Sequence, residues 1–249
     1  MARPLRALHR RVLVLRARDA TATTAARSAL VLAPHADDES LACGATIARK
    51  RAAGTRVRVV VFADGGDELR RAETRNACAI LGVDAADLSF LGFPEGGLDG
   101  DPDALDAALR TLLTEPVDEL FHPTAIDAHP DHRALAAAVI RVAPGTSRLA
   151  YPVWYWRRVA WVDADAPRWR NALRFVGRSG WALVTARTVK VSTGELADRK
   201  RRAIAAHASQ VTGVGSRGGR LGRYTLELFS APEELFFVER AKGQSSKSR

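Results

Sequence analysis

From Ala29 onward the chain alternates short, wholly apolar runs with longer stretches of helical period. Ala29–Ala33 (ALVLA) is a continuous apolar run that stops at Pro34, the pattern of a strand buried on both faces. Ser40–Ala53 places Leu41, Ala45, Ile47 and Ala48 at helical spacing, with Gly54 as a stop. Val57–Ala63 (VRVVVFA) predicts a second strand, closed by the turn Asp64-Gly65-Gly66. Glu68–Leu81 predicts a helix that ends at Gly82, a residue suited to a left-handed C-terminal position. Leu88–Phe93 predicts a third strand, Asp103–Leu113 a helix, Glu119–His122 a fourth strand, and His132–Val142 a helix running into Pro144-Gly145.

Apolar strands alternating with helices imply an α/β fold: a Rossmann-like, mostly parallel sheet with helices on both faces. Beyond Ala143 the regularity breaks. Tyr151–Trp161 is crowded with rings (Tyr151, Trp154, Tyr155, Trp156, Trp161) and reads as an edge strand packing them on the core, against the alternative of a substrate-stacking surface. Glu195–Ser209 reads as a basic amphipathic helix, Val211–Arg223 as a Gly-rich mobile loop, and Tyr224–Val238 as a terminal strand or hairpin, together a C-terminal β/α extension. The expected organisation is a basic N-terminal segment (1–28), a single α/β domain (29–240) and a basic, disordered tail (241–249).

A length of 249 residues is ample for one such core, and the 47% hydrophobic share is ordinary for a globular protein. The net charge of +10 changes little. Its positive residues are spread along the chain, and neither Arg199-Lys200-Arg201-Arg202 nor the tail interleaves aromatics, so specific nucleic-acid binding is not expected. No apolar run reaches the ~18 residues of a membrane span, and no integral membrane association is expected. The Arg-rich start (1–18) reads as a plain helix, with an organelle transit peptide as the alternative and no secretory cleavage pattern. Cys43 and Cys78 read as buried thiols. A cytoplasmic location is the expectation.

Two loops carry the candidate chemistry. Pro34-His35-Ala36-Asp37-Asp38-Glu39 follows the first predicted strand, and His129-Pro130-Asp131-His132 follows the fourth. In parallel sheets, ligands bind beyond the carboxyl ends of the strands, where both loops fall. Four ionisable groups in five positions are costly to bury without a metal or strong hydrogen bonds; the bland alternative is an acidic turn capping a helix. His35, Asp38 and His132 would make a two-histidine, one-carboxylate zinc site with an open fourth position, leaving the neighbouring carboxylate of Asp37 to face the activated water.

The sequence resembles the LmbE/PIG-L-like family of zinc N-deacetylases, which remove acetyl groups from N-acetylglucosamine-type substrates. The likeness runs over roughly Ala29 to Gln210. Besides the two loops it includes Asp64-Gly65, Arg70-x-x-Glu73, Leu91-Gly92-Phe93-Pro94-Glu95-Gly96 and His207-x-Ser209-Gln210, with Ala36 standing where the family has Pro. The resemblance implies Zn2+ on His35, Asp38 and His132, Asp37 as general base, and His129, held charged and oriented by Asp131, as oxyanion stabiliser. It implies substrate binding at Arg70, against the alternative of a surface ion pair with Glu73. Glu39 reads as a loop anchor, Asp64 as a neighbour of the metal ligands, and His207 and Gln210 either as site lining or as support for the C-terminal helix. The expected activity is hydrolysis of the acetyl group of an N-acetylated amino sugar or its conjugate. The alternatives are a zinc amidase or esterase on a non-sugar acyl substrate, and a non-enzymatic binding protein for acidic partners.

Overall fold

The computed structural model describes residues 3–156, single positions between 167 and 180, and residues 186–214 and 221–239. The chain opens with helix α1 (Arg3–Arg16), strand β1 (Arg18–Asp19) and a short helix α2 (Thr21–Ala25). The alternation read from the sequence then follows as β2 (Ala29–Ala33), α3 (Asp38–Ala52), β3 (Val57–Val61), α4 (Glu68–Leu81), β4 (Leu88–Phe90), α5 (Pro102–Leu112), β5 (Glu119–Pro123) and α6 (Pro130–Val142). Three further strands, β6 (Arg148–Tyr151), β7 (Thr188–Ser192) and β8 (Glu233–Glu239), complete one sheet of order β1-β7-β8-β6-β5-β2-β3-β4. Only β8 runs against its neighbours, pairing antiparallel with both β6 and β7.

Side chains of a strand point alternately to opposite faces, so each strand feeds two cores. Ala29 and Val31 of β2 join one core with Leu41 and Ile47 of α3 and Ala77, Cys78 and Leu81 of α4. Leu30 and Leu32 join the other with Leu105 and Leu109 of α5 and Leu135 and Val139 of α6. Helices therefore cover both faces, and both thiols are free and buried.

Local signals set the helix ends. Asp101 accepts from the N–H of Ala104 ahead of Pro102, a proline where no helical N–H is needed. Gly82 ends α4 at φ 88°, with Val83 N–H on the Cys78 carbonyl, the bonding of a Schellman stop.

The C-terminal third departs from expectation. Tyr151 closes β6, an interior strand between β5 and β8, and Trp154–Trp156 form a 3-10 turn; Trp161 lies outside the described residues. Tyr155 and Trp156 do bury their rings. The expected basic helix is two helices, Ala197–Ala206 and Ala208–Thr212, broken at His207. Arg223–Phe229 is helical, so only Glu233–Glu239 of the expected strand or hairpin is extended. Within the basic run, Lys200 is buried against Glu234 at 2.7 Å. Period alone does not separate a buried strand from a short helix, and the partner of a charged side chain lies outside its own segment.

Candidate metal and catalytic site

Strands β2 and β5 are neighbours, yet β3 and β4 extend the sheet to one side of them and β6 to the other. This is the switch point where a doubly wound sheet opens a crevice at its carboxyl edge. The loop 34–37 leaves β2 there and the loop 124–129 leaves β5, so topology brings together two motifs that lie far apart in the chain.

The rings of His35, His129 and His132 meet in that crevice, with one nitrogen from each within 4.8 Å of the others. His35 and His132 are buried, and His129 is half-buried. His132 is 0% exposed, and neither of its ring nitrogens makes a well-formed hydrogen bond among the described residues. Each instead faces a carboxylate: Nε2 lies 3.1 Å from Oδ2 of Asp38, and Nδ1 3.4 Å from Oδ2 of Asp127. Nδ1 of His35 stands 3.5 Å from the same Asp38 oxygen. Donors around a four-coordinate ion with bonds of about 2.0–2.1 Å stand ~3.3 Å apart, and these two nitrogen–oxygen separations are close to that spacing, while the three histidines form a group that could hold a metal. Burial would raise the Asp38 carboxyl, but His132 and His35 draw it well below the usual range. Burial would likewise lower the two imidazoles; Asp131 and Asp38 bring His35 up to about 9, and Asp38 and Asp127 bring His132 up to about 10.

The acids beside these histidines hold them from behind. Asp131 accepts from Nε2 of His35 at 2.8 Å and from the N–H groups of Gly96 and Leu98. A carboxylate on Nε2 orients the ring and leaves Nδ1 of His35 facing Asp38. The side chain of Asp131 thus serves the other loop's histidine, where the expectation placed it on His129, and only the Asp131 N–H meets the His129 ring. It also explains the Gly-rich loop after β4: Gly96, at φ 77°, turns its amide onto that carboxylate. Asp127, which the sequence motifs do not include, does the same for His132 and accepts from the N–H groups of His129, Val153 and Trp154. Its signal was its place just beyond the end of β5, two residues before the second motif.

His129 ends the loop as the residue before α6, and its Nδ1 accepts the N–H of Asp131. The proton of the neutral ring is thereby assigned to Nε2, a donor. Burial, with His35 and His132 adding to it, lowers the His129 pKa, and the pull of Asp131 does not reverse this.

Asp37 is buried, and it is the one non-glycine residue at positive φ among the described residues, at φ 136° and ψ −25°. Such backbone costs on the order of 1–3 kcal/mol and persists where surrounding bonds over-determine it. Burial, followed by the Asp38 charge, pushes the Asp37 carboxyl up to about 7.

Among the other candidates, Arg70 is buried and donates to Glu95, to the carbonyl of Ala36 and to Gln210. The alternative pairing with Glu73 is absent, since Glu73 accepts from the N–H and hydroxyl of Ser209. Asp64 accepts from Gly92 N–H and pairs with Arg71, which makes it a brace between the β3 and β4 turns. Glu39 anchors the first loop as expected, accepting the N–H of Asp37.

A histidine and carboxylate cluster fitted for a divalent metal, at the switch point of a mostly parallel α/β sheet, defines the class of site. Similarity to known proteins places it more closely. Residues 30–143 match the family model described as PIG-L, GlcNAc-PI de-N-acetylase. A 1D-myo-inositol 2-acetamido-2-deoxy-alpha-D-glucopyranoside deacetylase of Rhodococcus opacus (strain B4) is 28% identical, over 75% of this chain and 82% of that protein. A conserved protein from Thermus thermophilus superposes with a TM-score of 0.59 at 25% identity, covering 89% of this chain and 98% of that one. N,N'-diacetylchitobiose deacetylase from Pyrococcus horikoshii has the same fold, with a TM-score of 0.59 at 18% identity over 86% of this chain and 84% of its own. The chain is thus similar to the PIG-L (LmbE-like) family over its β2–α6 half, and shares the fold of these deacetylases.

Proposed function

We propose that this protein is a metal-dependent N-deacetylase that hydrolyses the acetamide of a 2-acetamido sugar or its conjugate. One observation carries the reading: the buried carboxylate of Asp37 stands next in the chain to Asp38, whose Oδ2 lies 3.5 Å from Nδ1 of His35 and 3.1 Å from Nε2 of His132. The proposed ligands are His35, Asp38 and His132, and their mixed nitrogen and oxygen donors suit zinc. A divalent ion held there would polarise the acetyl carbonyl and acidify a bound water.

Asp37 takes the proton from the attacking water as the new carbon–oxygen bond forms. A positioned carboxylate can accept that proton and return it later in the reaction. The same proton then goes to the amine nitrogen as the carbon–nitrogen bond breaks, releasing acetate and the free amino sugar. His129 donates its Nε2–H to the carbonyl oxygen as charge builds on it, a type of contribution worth on the order of a hundredfold in rate. Asp131 and Asp127 keep His35 and His132 aimed. For the sugar we propose Arg70 with Glu95, whose half-exposed carboxylate carries the pair towards solvent.

The relatives named above as deacetylases of N-acetylated sugars support this substrate class. Among the described residues no helix is long and apolar enough to cross a membrane. Two unpaired, buried thiols fit a reducing compartment, and the proposed location is the cytoplasm. The test is a mass-spectrometric screen of the zinc-loaded protein against free, inositol-linked and oligomeric N-acetylglucosamine, N-acetyl peptides and simple esters. Loss of acetyl from a sugar, with a free amine appearing, is expected. Turnover of peptides or esters with every sugar untouched would overturn the proposal.

A further inference from the structure

Asp37 has its unusual backbone because both peptide units flanking it are pinned. The peptide after it is held by its carbonyl, which accepts the N–H groups of Ser40 at 3.1 Å and Leu41 at 2.9 Å as α3 begins. The peptide before it is held at both ends. Its N–H donates to Oε2 of Glu39 at 3.1 Å, and its carbonyl, that of Ala36, accepts from Nε2 of Gln210 and from Arg70. Fixing two successive peptide planes sets the φ and ψ of the residue between them.

Glu39 is in turn held from a distant part of the chain. Its Oε1 pairs with Nε2 of His207 at 2.9 Å, and both side chains are buried. His207 stands at the break between the helices Ala197–Ala206 and Ala208–Thr212, and Gln210 lies one turn further on. That break turns two side chains of one short segment towards the same peptide unit. Gln210 grips its carbonyl directly, and His207 grips its N–H through Glu39. Ser209, between them, is fastened to Glu73 of α4. The Ala36 side chain is fully buried beside Ala33 and Val61, so the loop surface faces packing on one side and this clamp on the other.

We propose that His207, acting through Glu39 and together with Gln210, is a positioning residue that holds Asp37 in the left-handed conformation its role as base requires. The inference rests on the proposed role of Asp37. It assigns His207 no contact with substrate or metal.

A double-mutant cycle tests it, using the N-acetyl sugar that the wild-type protein turns over fastest. His207→Ala is expected to lower kcat about tenfold or more, with KM within about twofold and zinc stoichiometry unchanged. His207→Gln, whose amide can still donate to Glu39, should recover much of the loss and serves if the alanine variant fails to fold. In an Asp37→Asn background, His207→Ala or His207→Gln should cause no further loss, because the group being positioned is already inactive. A crystal structure of His207→Ala should show Asp37 leaving φ near 136°. The same fractional loss in both backgrounds, an unchanged kcat, or an unmoved Asp37 would each overturn the proposal. Full activity of Asp37→Asn alone would instead overturn the reading on which it rests, so the two failures are distinct.

Discussion

Oδ2 of Asp131 sits 2.8 Å from Nε2 of His35, so an acid from the first turn of α6 aims a histidine from the loop after β2. The two motifs are interlocked through this bond, and neither loop forms a complete site alone. Asp131→Ala should weaken zinc binding by about 10–100-fold, because His35 loses the carboxylate that sets its tautomer and angle. Competition with a chelating dye measures it. An affinity equal to wild type would show that Asp131 does not act through His35.

Alanine at His35, Asp38 or His132 should each abolish stoichiometric zinc in a folded protein, since each removes one of three ligands. His129→Ala should keep the metal and lose turnover by on the order of a hundredfold. Metal analysis of the four purified variants separates this ligand set from the alternative of three histidines. Loss of zinc in His129→Ala with retention in Asp38→Ala would favour the all-histidine set.

Asp37→Asn preserves size but cannot take a proton. Near-normal zinc content with at least a roughly hundredfold lower kcat is expected. Turnover close to wild type in a zinc-replete variant would move the base elsewhere.

His122, wholly buried in β5 with Nδ1 bonded to the Pro123 carbonyl, gives the fold an acid sensitivity. Burial holds its pKa down at about 3; Glu239 stands 3.5 Å from Nε2, but burial raises its own carboxyl and so weakens that charge. Below the ordinary histidine value of 6.5 the unfolded chain binds a proton that the folded chain refuses. This contribution to stability is therefore full above pH 6.5 and is lost as pH falls towards 3, by up to ~1.4 kcal/mol per pH unit. Urea midpoints at pH 7 and pH 5 should converge more closely for His122→Leu than for wild type. Equal drops in both proteins would exclude His122 as the source.

Glu234 of β8 receives Lys200 at 2.7 Å together with the N–H groups of Ala45 and Thr46 and the Thr46 hydroxyl. Glu234→Ala strands a buried ammonium and should cost about 3–5 kcal/mol, whereas pairing it with Lys200→Met should restore a large part of that. Chemical denaturation of the single and double variants gives the comparison, and additive losses would show the two groups to be uncoupled.

The apolar run Ala29–Ala33 and the helical period of Glu68–Leu81 were legible in the chain because the forces that shape them are local. A strand buried on both faces needs unbroken apolar residues, and a helix needs a stop such as Gly82. The place of the two histidine loops beyond the ends of β2 and β5 followed from the same alternation, and with it a cluster of His35, His129 and His132 that could hold a metal. Other features depended on neighbours far along the chain. β8 inserts between β6 and β7, Asp131 turns to His35, Asp127 backs His132, and His207 reaches Glu39 across 168 residues of sequence. A carboxylate's nearest partner is set by which strands lie side by side, and backbone periodicity carries no record of that order. Hydrophobic pattern therefore decided where the histidines stand, and only the packed sheet decided which acid holds which histidine.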